Sequence, residues 1–144
     1  MAWLDADYPA GDAIVLLIIF LALILLYIQT LLPAFYLVAQ VGVPAQMGAP
    51  DTLPEPTAKL LRSRNAARNM LETLPIFLTL AVLTLVLKVP GNVPVIGGVM
   101  YLVARIGHVV SHVNALSPWR SLSYFVSVAG LVVIAVPLVP YIWA

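Results

Sequence analysis

Four long apolar runs restrict the folds open to this chain more than any other feature. They span roughly residues 13–39, 69–89, 93–116 and 121–143. Each reaches about the 20 residues that a helix needs to cross a hydrocarbon core ~30 Å thick at ~1.5 Å per residue. Inside lipid the backbone must hydrogen-bond to itself. The runs lack the alternating polarity of barrel strands, so each is read as a transmembrane helix. Composition agrees, with 62% of the 144 residues hydrophobic and 9% charged, against ~45–50% and ~25% in an ordinary soluble domain. The sequence predicts an all-α integral membrane protein, a four-transmembrane-helix bundle forming one domain over residues 1–144.

Several functions are excluded at once. A net charge of +1 without a basic stripe excludes nucleic acid as a partner. There is no cysteine, hence no disulfide framework, thiolate metal site or cysteine nucleophile. Any thiol chemistry must use a thiol carried by a ligand. Asp5, Asp7 and Asp12 stand where a signal leader would be basic, and the first run is too long for a signal core. That helix is therefore expected to be retained.

Charge placement sets the expected orientation. Lys59, Arg62, Arg64 and Arg68 precede the second run and Arg120 precedes the fourth, while Lys88 lies at the opposite end of the second. In a four-span array the first five share a side. The positive-inside rule makes that side cytoplasmic and both termini non-cytoplasmic. Between Gln40 and Pro56, Gly42, Pro44, Gly48, Pro50 and Pro54 predict a turn-rich loop. Thr57 is the expected N-cap of a helix that starts near Ala58, protrudes from the membrane and runs to about residue 89. Pro33 and Pro75 are read as kink positions, and Trp119 and Trp143 as interface anchors.

Polar residues inside apolar spans are costly and mark bundle interiors or wet cavities. Asn65, Arg68, Asn69 and Glu72 follow i, i+3/i+4, i+7 spacing on the second helix. Arg105, His108 and His112 do the same on the third, and Arg120, Ser121 and Tyr124 open the fourth. Because the helices alternate in direction, all three groups fall in the cytoplasmic half of the bilayer. They predict one polar cavity, open to the cytoplasm and reachable from the lipid. Arg68, Arg105 and Arg120 outweigh Glu72, so the cavity favours an anion, and arginine's forked donors suit carboxylates. A small zwitterion with more than one carboxylate fits this balance, with Glu72 holding its ammonium or orienting an arginine.

Plainer readings exist for each residue taken singly. Arg68 and Glu72 form an i, i+4 pair that can satisfy itself. His108 and His112 suit bonded core positions, Arg120 a positive-inside marker, and Tyr124 an interface anchor. Their common depth favours a shared site. The two histidines have metal-ligand spacing, but no third carboxylate or Cys accompanies them, so no metal is expected. The polar groups reach only half the bilayer, which leaves no continuous path for a transporter or channel.

The stretch Arg64-Asn65-Ala66-Ala67-Arg68-Asn69-Met70-Leu71-Glu72-Thr73-Leu74-Pro75-Ile76-Phe77 resembles the second-helix signature of the MAPEG family. These are the membrane-associated proteins in eicosanoid and glutathione metabolism, and the chain looks like a bacterial microsomal glutathione transferase-like member. Ala104-Arg105-Ile106-Gly107-His108 with His112, and Arg120-Ser121-Leu122-Ser123-Tyr124, extend the likeness over essentially the whole chain. The resemblance implies a homotrimer that binds glutathione as cosubstrate between subunits, near the cytoplasmic side. It implies that Arg68, Asn69 and Glu72 hold the glutathione backbone, with Arg105, His108 and Tyr124 as further ligand contacts. It implies that Arg120 stabilises the thiolate, with Ser121 near the thiol. Asn65 stands where many members have arginine, and His112 where the better-known members have tyrosine. The activity expected is glutathione-dependent transfer or peroxide reduction on hydrophobic or lipid substrates entering from the membrane, and the membrane expected is a bacterial inner membrane. The rival reading is a non-catalytic accessory or lipid-binding subunit of a membrane complex.

Overall fold

The computed structural model describes residues 9–143. Asp5 and Asp7, which support the expectation of a retained first helix, lie outside the described residues. Helix α1 spans Ala10–Val41, the single turn α2 Val43–Gln46, α3 Ala58–Val86, α4 Val93–Val113 and α5 Trp119–Ala135. Short 3-10 turns cover Pro50–Thr52 and Val136–Ile142. Among the described residues there is no strand. The helices α1, α3, α4 and α5 with its 3-10 extension are each long and apolar enough to cross a membrane.

The helix ends follow local chemistry. Thr57 caps α3, its Oγ1 accepting from the Leu60 amide at 3.3 Å. The apolar run continues past the C-terminus of α3, but Lys88 adopts a left-handed φ of 48° and Pro90 follows, so the helix stops at Val86 and not near residue 89. Helix α4 ends at Val113, three residues before its apolar run, because Ala115 turns the chain with a φ of 58°. Helix α5 ends at Ala135 because Pro137 and Pro140 supply no amide donor. The chain then tightens into the 3-10 turn. Pro33 and Pro75 lie inside continuous helices. The connection expected to be irregular from Gln40 is partly helical, and Gln40 ties it down. Its Nε2 donates to the Glu55 carbonyl at 2.7 Å, and its Oε1 accepts from the Thr57 amide at 3.2 Å.

The four long helices alternate in direction. Thr73 meets Tyr101, Asn69 meets Arg105 and Arg62 meets Val113, so α3 and α4 run antiparallel. Gly97 faces Gly130 and Gly107 faces Ser123, so α4 and α5 do too. The first core cluster joins Ile18, Ala22, Met70, Phe77, Tyr101 and Ile134 from all four helices. Phe77 and Tyr101 stack with centroids 4.3 Å apart. The outer surface is apolar as well, with Phe20, Tyr27, Phe35, Val103 and Phe125 each more than half exposed. A water-facing protein does not present such a surface on every side, whereas lipid tails solvate it freely.

The α4–α5 crossing depends on two glycines. A Cβ placed on Gly130 would stand 2.8 Å from the Gly97 carbonyl oxygen and 2.8 Å from the Tyr101 amide nitrogen. Both are backbone atoms and cannot rotate away. Gly130→Val is expected to force the helices apart, at a cost of about 1–3 kcal/mol or more. Gly11→Ala is the matched control, since its nearest contact is Val95 Cγ2 at 4.0 Å. Thermal unfolding of detergent-purified variants checks the pair: the midpoint falls for Gly130→Val and stays near wild type for Gly11→Ala.

Candidate functional site

The N-terminal half of α3, the C-terminal half of α4 and the start of α5 share one end of the bundle. There they enclose a cavity of about 450 Å³. Helix α3 contributes Asn65, Arg68, Asn69 and Glu72 to its wall, α4 contributes His108 and His112, and α5 contributes Arg120, Ser121, Tyr124 and Phe125. The polar stripes spaced on separate helices thus meet in one hollow. At its mouth Arg68 Nε lies 3.5 Å from Glu72 Oε1, with both side chains largely exposed. This is the i, i+4 pair expected from the spacing. Its solvent exposure limits its contribution to stability.

Arg105 does not line the cavity. It is 1% exposed and sits behind the wall, its NH1 donating to Asn69 Oδ1 at 2.6 Å. Its guanidinium lies 5.5 Å from the Tyr101 ring centroid and 5.6 Å from that of Tyr124. Arg105 therefore reaches the cavity through Asn69, whose amide it orients. No carboxylate lies within ion-pair distance of Arg105 or Arg120 among the described residues.

His108 is almost completely buried. Its Nδ1 stands 3.2 Å from the Arg120 carbonyl oxygen. A carbonyl only accepts, so Nδ1 carries the proton, and in the neutral ring Nε2 is left as an acceptor. This contact also fixes the start of α5 against α4. Nε2 of His108, Nδ1 of His112, and Nε and NH2 of Arg105 are all shielded from solvent and have no protein partner. Buried polar atoms are normally bonded, so the two histidine nitrogens, on residues that line the cavity, are what a polar ligand would satisfy. The rings of His108 and His112 lie 5.4 Å apart, and those of His108 and Tyr124 6.2 Å apart.

The sequence model of the MAPEG family matches residues 14–139, nearly the whole chain. The chain belongs to the MAPEG family. No curated protein matches it. As a MAPEG protein it is an integral membrane protein, in keeping with its four apolar helices.

In this MAPEG chain two parts of the site escaped sequence reasoning. Phe125 lines the cavity, yet within an apolar run it carries no distinguishing signal. Tyr101 is buried behind the wall, where its hydroxyl lies 3.2 Å from Thr73 Oγ1 and 3.8 Å from Met70 Sδ. Its spacing was the available clue, since it stands one helical turn before Arg105 on the same face.

Proposed function

We propose that this MAPEG protein is a membrane-bound glutathione-dependent transferase or peroxidase acting on hydrophobic electrophiles. The observation that carries the reading is the convergence of three polar stripes on one cavity with more arginine than carboxylate. Glutathione has two carboxylates, one ammonium and a thiol. Arg68 and Asn69 suit its carboxylates and amides, with Asn65 as a weaker donor where a guanidinium would reach further. Glu72 suits its ammonium. His108, through its free Nε2, accepts a hydrogen bond, and His112 and Tyr124 close the wall on the α4 and α5 sides.

When bound, glutathione supplies the thiol that the chain lacks. Arg120 has no carboxylate competing for it, so its positive charge favours ionisation of a thiol placed beside it. The Ser121 hydroxyl can donate a hydrogen bond to the same sulfur. The apolar flank at Phe125 faces the lipid-exposed surface and suits an alkyl or aryl halide, an activated alkene or a lipid hydroperoxide. Holding both reactants in one cavity supplies much of the rate. The cluster Lys59, Arg62, Arg64 and Arg68 supports an orientation with this end in the cytoplasm and the termini opposite, and the membrane in this reading is a bacterial inner membrane. The exposed Arg68–Glu72 edge fits the homotrimeric arrangement, with glutathione held between neighbouring subunits.

Turnover tests the reading. Purified protein in lipid is expected to conjugate glutathione to an aryl halide or to reduce a lipid hydroperoxide at its expense. Saturable glutathione binding without turnover on any of these electrophile classes would favour the accessory-subunit reading, which also predicts a stable co-purifying partner.

A further inference from the structure

A second, smaller hollow of about 120 Å³ lies beside the main cavity, lined by Arg62, His112, Ala115, Leu116, Ser117 and Arg120. It sits where the start of α3 meets the turn between α4 and α5. Arg62 is held there by one bond, its Nε donating to the Val113 carbonyl at 2.9 Å. That contact caps a carbonyl at the end of α4. It uses one of the guanidinium's five donors, and the terminal nitrogens make no hydrogen bond to protein among the described residues. Among the described residues the Arg120 guanidinium makes none either, and neither arginine has a carboxylate within ion-pair distance.

Two guanidinium-bearing side chains therefore border one hollow that has no acidic residue in its wall. Like charges in that position repel, and an anion between them turns repulsion into two charge-assisted contacts. A positive-inside bias explains why both arginines lie at this end. It does not explain why they share a recess. Ser117, whose side chain carries a neutral donor, lines the same wall. The volume exceeds the ~30 Å³ that one water takes in the liquid, yet it is far too small for a tripeptide.

We propose that this hollow is a binding site for a single oxyanion of the phosphate class, held by Arg62 and Arg120 with Ser117 as a supporting donor. The oxyanion is either free or the headgroup phosphate of a membrane lipid. The proposal does not rest on the glutathione reading, but Arg120 and His112 border both hollows, so an oxyanion here and an anion in the main cavity draw on the same Arg120 charge.

The test uses the full chain in nanodiscs. In discs of a neutral galactolipid, which carries no phosphate, inorganic phosphate is titrated by calorimetry. In discs containing phosphatidylglycerol, lipid retained after release is counted by native mass spectrometry. Saturable phosphate binding in neutral discs identifies a free oxyanion, and retention of phosphatidylglycerol alone identifies the headgroup. Arg62→Gln keeps a donor for the Val113 carbonyl but removes the charge, and is expected to weaken whichever binding is found at least tenfold. Arg62→Lys keeps the charge and is expected to bind within a few-fold of wild type. Thermal unfolding confirms that both variants fold. The proposal is overturned if wild type binds neither probe saturably, or if Arg62→Gln binds as wild type does.

Discussion

Arg120→Ala is expected to lower glutathione-dependent turnover by about 100-fold or more, the loss typical when one donor aimed at a developing anion is removed. The effect originates at the wall of the cavity. Arg120 borders it without a carboxylate partner, so its charge is available to an anion. With that charge removed, less of the bound thiol is ionised at neutral pH. The activity that remains should therefore rise as pH increases, because alkali generates the thiolate that Arg120 otherwise stabilises. Glutathione binding should fall much less, since Arg68, Asn69 and Glu72 still line the wall. A kcat loss with a small change in KM, together with an alkaline shift of the pH–rate profile, is the expected signature. Arg120→Lys should recover part of the rate, as a point charge without the fork. The His108 contact uses the Arg120 backbone carbonyl, so these substitutions leave that link intact.

Arg105→Met is expected to have opposite effects on stability and on binding. Arg105 is a buried guanidinium with one hydrogen bond, to Asn69, and two nitrogens without partners. Desolvating a charge so incompletely compensated costs folding energy, and a well-packed apolar residue of similar volume often restores it. Thermal unfolding of Arg105→Met should therefore be unchanged or shifted upward. Asn69, however, loses the 2.6 Å contact that orients its amide towards the cavity. Glutathione affinity should fall about tenfold or more, roughly 1.4 kcal/mol. Asn69→Ala should reduce affinity to a similar degree, and the double variant should be little worse than either alone, because the two residues act as a unit. A drop in stability without loss of affinity would make Arg105 a packing residue only.

How much of this was legible in the sequence differs between fold and site. The spans were plain because lipid imposes a length and an apolar composition on any helix that crosses it. Their ends were harder, since hydropathy runs on through Lys88, Ala115 and Pro137 while backbone geometry does not. The stripes were legible because 3.6-residue periodicity and alternating helix direction place Asn69, His108 and Arg120 at one level. Which side chains form the wall was less so. Arg105 shares the stripe of His108 and His112, but spacing alone does not show that its guanidinium turns towards Asn69 and the Tyr101 ring. Arg62 read as one of several loop charges because its bond to Val113 joins residues 51 positions apart. No local pattern encodes that contact.

The most direct test of a glutathione site is a calorimetric titration of the purified protein in lipid with glutathione and with its diester, which lacks both carboxylates. Saturable binding of glutathione, weakened at least tenfold for the diester, is the predicted result. Absence of saturable binding, or equal affinity for the diester, would contradict recognition of carboxylates by the arginine-rich cavity.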